Sequence, residues 1–543
     1  MALLALVEDR PTPKAVYNWR VYTCAIIASW ASCTIGYDSA FIGTTLALPS
    51  FVAEFDFASY SPEGLALLKS NIVSVYQAGA FFGSLFAYGS SYFLGRKKSL
   101  IAFTLVFMLG AGMMLGANRE RGLGLILAGR VLAGIGVGGC SNMTPIYISE
   151  LSPPAVRGRL VGIYEMGWQI GGLVGFWINY GVDSTMAPSH TQWLIPFAVQ
   201  LIPSGLLLVG ALWIPESPRW LFTKDRKEEA MKALCWMRNL DANDKYMIEE
   251  VGYIEAELER YRTEVGAGFW KPFVSLKDRK VQWRFFLGGM LFLWQNGSGI
   301  NAINYYSPTV FKSIGITGTN TGFLTTGIFG VVKTITTFVW LLWLIDHLGR
   351  RNLLMIGAIG GSLCMWYIGG YLALNPPSST GGGLSSGGIS AMVFFYLWTV
   401  FYTPSWNGTP WVINSEMFDQ NTRSLGQASA AANNWFWNFI ISRFTPQMFN
   451  AWSYGVYFFF ASLMILSAVF TFFLVPETKS VPLEMMDRLF QVKPVWRANK
   501  TIMDELAEDR SFRQQDDSED GAAGLGEKSD EGEVSQVERK TSF

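Results

Sequence analysis

Four ionisable side chains stand inside long apolar runs: Asp38, Arg130, Glu165 and Lys333. A charge at bilayer depth costs at least ~2.5–3.5 kcal/mol on insertion scales, so such a residue marks function by default. Two kinds of chemistry are open to this set. A carboxylate there can bind and release a proton, because desolvation favours the neutral acid and a neighbouring cation favours its anion. A cation there can capture an anionic ligand. The only imidazoles, His190 and His347, fall near expected loops, which leaves proton handling to carboxylates. No nucleophile–base constellation or metal-ligand cluster accompanies them, and the glycine run GIGVGG (134–139) follows no strand and precedes no Walker-type lysine. The chain is therefore not expected to be an enzyme, and no cofactor or metal is expected.

The elements that must hold these residues follow from composition. Of 543 residues, 50% are hydrophobic and 15% charged, well below the ~25% charge usual in soluble domains. Residues 501–543 hold 13 acidic and 5 basic side chains, so positions 1–500 carry 37 minus 29, or +8. Those positive charges punctuate apolar runs and form no basic stripe, so nucleic acid is not an expected partner. The five cysteines show no paired spacing. Twelve stretches reach the ~20 apolar residues of a membrane-crossing helix: 22–46, 72–94, 99–117, 123–145, 159–181, 192–214, 284–311, 322–345, 353–374, 389–415, 427–449 and 453–475. The all-α chain thus reads as a cytoplasmic N-terminal segment (1–21), a six-helix bundle (22–214), a cytoplasmic helical linker (215–282), a second bundle (283–475) and an acidic, largely disordered cytoplasmic tail (476–543). Alternate short loops hold Arg96, Lys97, Lys98, Arg157, Arg159, Arg350, Arg351 and Arg423. By the positive-inside rule both termini and the linker are cytoplasmic.

The two halves repeat each other. LGRKK (94–98) matches DHLGRR (346–351), PIYISELSPPAVRG (145–158) matches PWVINSEMFDQNTRS (410–424), and PESPRW (215–220) matches PETKS (476–480). Repeats of this kind build secondary transporters whose substrate site lies where the halves meet. Arg96, Glu150, Arg157, Arg350, Glu416 and Arg423 are expected to form a cytoplasmic latch of ion pairs holding the halves together while the cavity faces outward. The alternative is a set of solvated loop charges.

With GRVLAGIGVGG (129–139), PESPRWL (215–221), WQNGSGINAINYYS (294–307) and PETKS, the chain resembles the sugar porter family of the major facilitator superfamily over roughly residues 20–490. Its runs ALVEDRPTPKAVYNWR (5–20) and GYDSAFIGTTLALPSF (36–51) are similar to the fungal quinate permeases. The resemblance implies two six-helix bundles around a central cavity that opens alternately to each side. It assigns Asp38 as proton carrier with Arg130 as its partner, a static ion pair being the alternative. It also implies a hydroxyl-binding set in the seventh span, Gln295, Asn296 and Asn301, and an outer gate at Tyr305 and Tyr306, for which plain packing is the alternative.

Departures from the family pattern carry the substrate reading. Tyr92 replaces the first loop motif's Asp, and Asn296 replaces a second Gln. Glu165 stands where the fifth span usually has Gln, and Lys333, or with a one-residue shift Thr334, where the eighth has Asn. A neutral hexose gains nothing from a buried cation, whereas a cyclic polyhydroxy carboxylate does. Lys333 is expected to take the carboxylate, with Gln295, Asn296, Asn301 and Asn434 on ring hydroxyls and Trp411 or Trp435 on the apolar ring face. Glu165 would neutralise Lys333 in the empty cavity; a substrate-independent Glu165–Lys333 pair is the alternative. The expected function is proton-coupled import of quinate or a relative across the plasma membrane. A neutral monosaccharide symporter and a non-transporting nutrient sensor are the rivals, and oligomeric state is open.

Overall fold

The structure, a computed structural model, describes residues 12–505 apart from 154–155, 265, 267, 315–318, 376–385, 419–421, 480 and 482–484. Of the expected N-terminal segment (1–21) and tail (476–543), residues 1–11 and 506–543 lie outside the described residues. Within them the chain is helical, with no strand. Crossing segments run in the expected order: α1 (Trp19–Thr45), α2 (Pro62–Phe93), α3 (Arg96–Leu115), α4 (Gly124–Leu151), α5 (Arg157–Thr185) and α6 (His190–Trp213). The second half has α7 (Arg279–Gly297, resuming as Ile300–Ser313), α8 (Thr319–Val339) and α9 (Arg350–Leu374). It closes with α10 (Ser386–Tyr402, resuming as Thr409–Met417), α11 (Arg423–Trp452) and α12 (Gly455–Leu474).

Capping residues set several starts. The Asn18 side chain accepts from the Arg20 N–H at 2.9 Å to open α1, and Asp278 accepts from the Lys280 N–H at 2.9 Å to open α7. Ser61 with Pro62 starts α2 well before the apolar run expected from residue 72. Two spans expected to be continuous are broken. Gly299, at φ +88°, interrupts α7, a conformation an L side chain adopts only under strain. A π-helical stretch over Thr403–Asn407, containing Pro404, interrupts α10.

Among the described residues, seven helices are long and apolar enough to cross a membrane on length and composition alone: α2, α3, α4, α6, α8, α9 and α12. The remainder, α1, α5, α7, α10 and α11, carry polar residues or breaks. Polar groups in the middle of these helices, such as Asp38, Asn179, Gln295, Thr399 and Asn438, are buried in the protein interior, where neighbouring helices rather than lipid decide their cost.

In the first half α1 packs along α5 and α4 lies between α2 and α3; in the second α9 packs on α12 and α10. The halves meet through α2 with α11, α5 with α8, and α1 with the second part of α7. The linker helices Pro218–Thr223, Lys227–Arg238 and Lys245–Glu264 cover the first half at the end that also bears the start of α1. Asn18 donates to the Met237 carbonyl at 2.7 Å, and buried Arg238 binds Glu250 at 2.7 Å and the Leu151 carbonyl at 2.8 Å. We call this end the linker face and the other the far face. Part of the tail departs from expectation. Residues 485–505 include the turn Met486–Leu489 and a final helix, and Val481, Met486, Leu489, Ala498 and Ile502 bury a small apolar cluster together. Low apolar content hid this, because those residues are spaced too widely to register as one run.

Candidate functional site

A narrow, partly open cavity lies between the halves. Its walls come from α1 (Ser39), α5 (Trp168, Gln169), the second part of α7 (Asn304) and α8 (Lys333). Lys333 therefore faces the cavity, whereas the Thr334 hydroxyl is turned back onto the Gly330 carbonyl at 2.8 Å. Lys333 is 7% exposed and makes no hydrogen bond or ion pair through its ammonium among the described residues.

Glu165 feels the charge of Lys333 but does not form an ion pair with it. The packing of α5 against α8 gives the reason. Gly162 abuts Leu341, Gly330 abuts Leu173 and Phe176, and Gly327 abuts Trp177. In that antiparallel register Lys333 stands level with Ile170 and Gly171, while Glu165 lies roughly 8 Å nearer the linker face, about five to six residues at 1.5 Å each. The expected close neutralising pair is thus absent in this conformation.

Asp38 and Arg130 pair directly, and both side chains are 0% exposed. Arg130 Nε also donates to the Ile72 carbonyl at 3.2 Å, and its guanidinium lies 4.4 Å from the Tyr76 ring centre. Asp38 Oδ2 and Arg130 Nη2 have no partner. An ion pair so far from water and only half satisfied is held at a cost that solvent access or proton transfer relieves.

The expected hydroxyl-binding set is largely occupied within the protein. Gln295 donates to the Trp406 and Asn407 carbonyls at 2.9 and 2.7 Å, satisfying groups freed by the break in α10. Asn296 donates to the Phe292 carbonyl at 2.8 Å and accepts from Asn301 across the α7 break. Trp411 packs on Phe292, ring centres 4.6 Å apart, and none of these four lines the cavity. Asn434 is buried at 7% exposure with no hydrogen bond among the described residues, yet it too lies outside the cavity wall. Trp435 is nearer: it stacks on the cavity residue Trp168 at 6.2 Å and donates to Ser141 at 3.1 Å across the halves. Sequence reading missed Gln169 and Asn304. A polar residue one turn beyond Glu165, and an amide between the GIN motif and the tyrosine pair, were the available signals.

Tyr305 and Tyr306 sit where the halves close at the far face. A Cβ on Gly43 would lie 2.1 Å from the Tyr305 carbonyl, so only glycine permits this approach of α1 to α7. The Tyr306 hydroxyl donates to the Ser442 carbonyl at 2.8 Å, and the helix kinks at Tyr306. Arg443 donates to Ser70 at 2.8 Å, tying α11 to α2.

At the linker face the repeat builds two matching clusters. Arg96 binds Glu150 at 2.7 Å, Ser217 donates to Glu150, and Glu216 accepts from the N–H groups of Arg96 and Lys97 at 2.9 and 3.0 Å. In the second half Arg350 binds Glu416 at 3.0 Å, Thr478 donates to Glu416 at 2.6 Å, and Glu477 accepts from the N–H groups of Arg350 and Arg351 at 2.9 and 3.0 Å. These pairs lie within each half, so they do not bridge the halves as expected. The cause is local: each arginine opens a crossing, α3 or α9, beside the end of the next crossing in its own half, α4 or α10, which carries the glutamate. Arg157 and Arg423 approach across the gap as like charges. Glu216 and Glu477, conspicuous in the PES and PET repeats, were not singled out.

The family described as Sugar (and other) transporter matches residues 24–490. The chain belongs to the sugar porter family of the major facilitator superfamily. This sugar porter is 76% identical to the quinate permease of Neurospora terricola over 96% of its length and 98% of the relative's. It is 65% identical to the probable quinate permease of Aspergillus clavatus over 97% and 98%. Among solved structures, the proton:xylose symporter XylE bound to 6-bromo-6-deoxy-D-glucose is similar at TM-score 0.71 and 27% identity, covering 87% of this chain and 99% of that one. A partially occluded, inward-open form of XylE from E. coli gives 0.70 at 25% identity over 86% and 100%. The sugar porter is thus a multi-pass membrane transporter.

Proposed function

We propose that this sugar porter imports quinate, or a closely related cyclic polyhydroxy carboxylate, together with a proton across the plasma membrane. In this reading both termini and the 215–282 linker are cytoplasmic, and the bundles 22–214 and 283–475 rock about the cavity. The observation that carries it is Lys333: a lysine buried in a cavity wall without an anion beside it is stabilised when a carboxylate arrives. High identity to quinate permeases across nearly the whole chain supports the same substrate.

Coupling rests on Asp38 and Arg130. With the far face open, a proton reaches Asp38, weakens its hold on Arg130 and offsets the charge that the anion brings. Closure at Tyr305 and Tyr306 follows. Opening at the linker face then lets proton and substrate leave, and the Asp38–Arg130 pair reforms.

Uptake of radiolabelled quinate by cells expressing Lys333→Asn tests the reading. Half-saturation raised at least tenfold, with protein still at the membrane, supports it; unchanged rate and half-saturation removes it. XylE's bound sugar analogue gives a neutral monosaccharide as the second reading. Inhibition by glucose and not by quinate would favour that rival.

A further inference from the structure

Resting on the reading above, we infer that Gln169 and Asn304 are the residues that read the substrate's hydroxyls, forming with Lys333 a carboxylate-plus-diol subsite. Three helices bring them to one wall: Gln169 from α5, Asn304 from the second part of α7 and Lys333 from α8. Gln169 is 4% exposed, yet its amide makes no hydrogen bond among the described residues. The Asn304 carbonyl oxygen is buried with no partner, and its amide nitrogen donates to nothing described. Buried amides in folded proteins are nearly always satisfied, so two unsatisfied ones beside an unpaired lysine require an explanation. A ligand that fills the cavity supplies one.

The chemistry selects the ligand class. Each amide offers both acceptor and donor, the combination that binds a hydroxyl as donor and acceptor at once. Lysine offers only donors and full charge, the complement of a carboxylate. Gln169 lies within about a turn of Lys333 in the register of α5 on α8 and shares its cavity wall, so carboxylate and first hydroxyl are placed close together on the substrate. Ser39, on the same wall, directly follows the proton-carrying Asp38 along α1. By contrast, Gln295, Asn296 and Asn301 donate to groups of the protein itself.

Two competitors separate the roles: quinate, and cyclohexanecarboxylate, which keeps ring and carboxylate but lacks hydroxyls. Ligand-induced thermal shift of the purified full-length protein is the readout, with unliganded melting and size exclusion reporting folding. The unmodified protein is expected to prefer quinate strongly. Gln169→Leu and Asn304→Leu are each expected to weaken quinate about tenfold, one hydrogen-bonded group's worth, with cyclohexanecarboxylate affected less than threefold. Gln169→Asn, which keeps the amide, should recover part of the loss. Folded variants with quinate affinity within twofold of the unmodified protein would overturn this inference alone. An unmodified protein insensitive to quinate would overturn the functional reading and this inference with it. Equal losses for both competitors would also overturn it, by showing a general collapse of the cavity.

Discussion

Amide side chains in the seventh crossing divide into those already bonded within the protein and those still open, and this division decides what each substitution does. Gln295 holds two carbonyls that the π-helical stretch of α10 leaves free. Gln295→Leu is therefore expected to cost about 1–3 kcal/mol of stability, read as a lower melting temperature, with the preference for quinate over cyclohexanecarboxylate retained. Asp38→Asn is expected to abolish accumulation of substrate against a gradient while sparing counterflow exchange, since exchange needs no net proton movement; loss of both would instead mark a structural pair. Lys333 was legible in the sequence because a cation in an apolar run is anomalous whatever surrounds it. Which amides were free was not legible. That depends on the positions of helix breaks in two other segments, and the seventh-span motif looks the same whether its amides face a ligand or a carbonyl.

Elements in the two halves repeat down to individual hydrogen bonds, although only their order and sidedness could be read beforehand. Matching spacing of Arg, Ser-Glu and Pro-Glu motifs exposed the repeat. It did not say whether each arginine meets its own half or the other, because that is set by helix packing in space. Glu150→Gln and Glu416→Gln each strip the charge partner from a largely buried arginine, at 15% and 14% exposure respectively. Both are expected to lower stability by similar amounts, about 1–3 kcal/mol, measured by thermal denaturation. A large effect in one half only would contradict the equivalence. The break in α7 is a second test at this scale. Gly299→Ala places a side chain at φ +88° with its Cβ 2.9 Å from the Phe460 ring, and is expected to cost at least about 1–2 kcal/mol.

Near the linker face the halves still touch where Gly162 meets Leu341, but they share extensive apolar packing toward the far face. One apolar cluster there combines residues of both halves, including Ile35, Tyr76, Tyr305 and Tyr306, whereas the cluster under the linker helices belongs to the first half alone. Cysteines at positions 70 and 443 are accordingly expected to be bridged in the substrate-free protein by a bifunctional thiol reagent spanning the reach of the Arg443 side chain, arresting uptake; failure to cross-link would place the resting state elsewhere. Twelve crossings and two halves were readable because membrane thickness imposes a length on every apolar run. The direction in which the cavity closes was not, since it depends on contacts between distant segments. A stoichiometry of one proton per monoanion would make the driving force nearly independent of voltage, because no net charge would cross. The most direct test is radiolabelled quinate uptake into proteoliposomes at zero membrane potential with an imposed pH difference. Accumulation when the outside is more acidic, lost when the difference is collapsed and absent in Asp38→Asn, is the expected result. Equal uptake with and without the pH difference, unaltered by Asp38→Asn, would contradict proton-coupled transport.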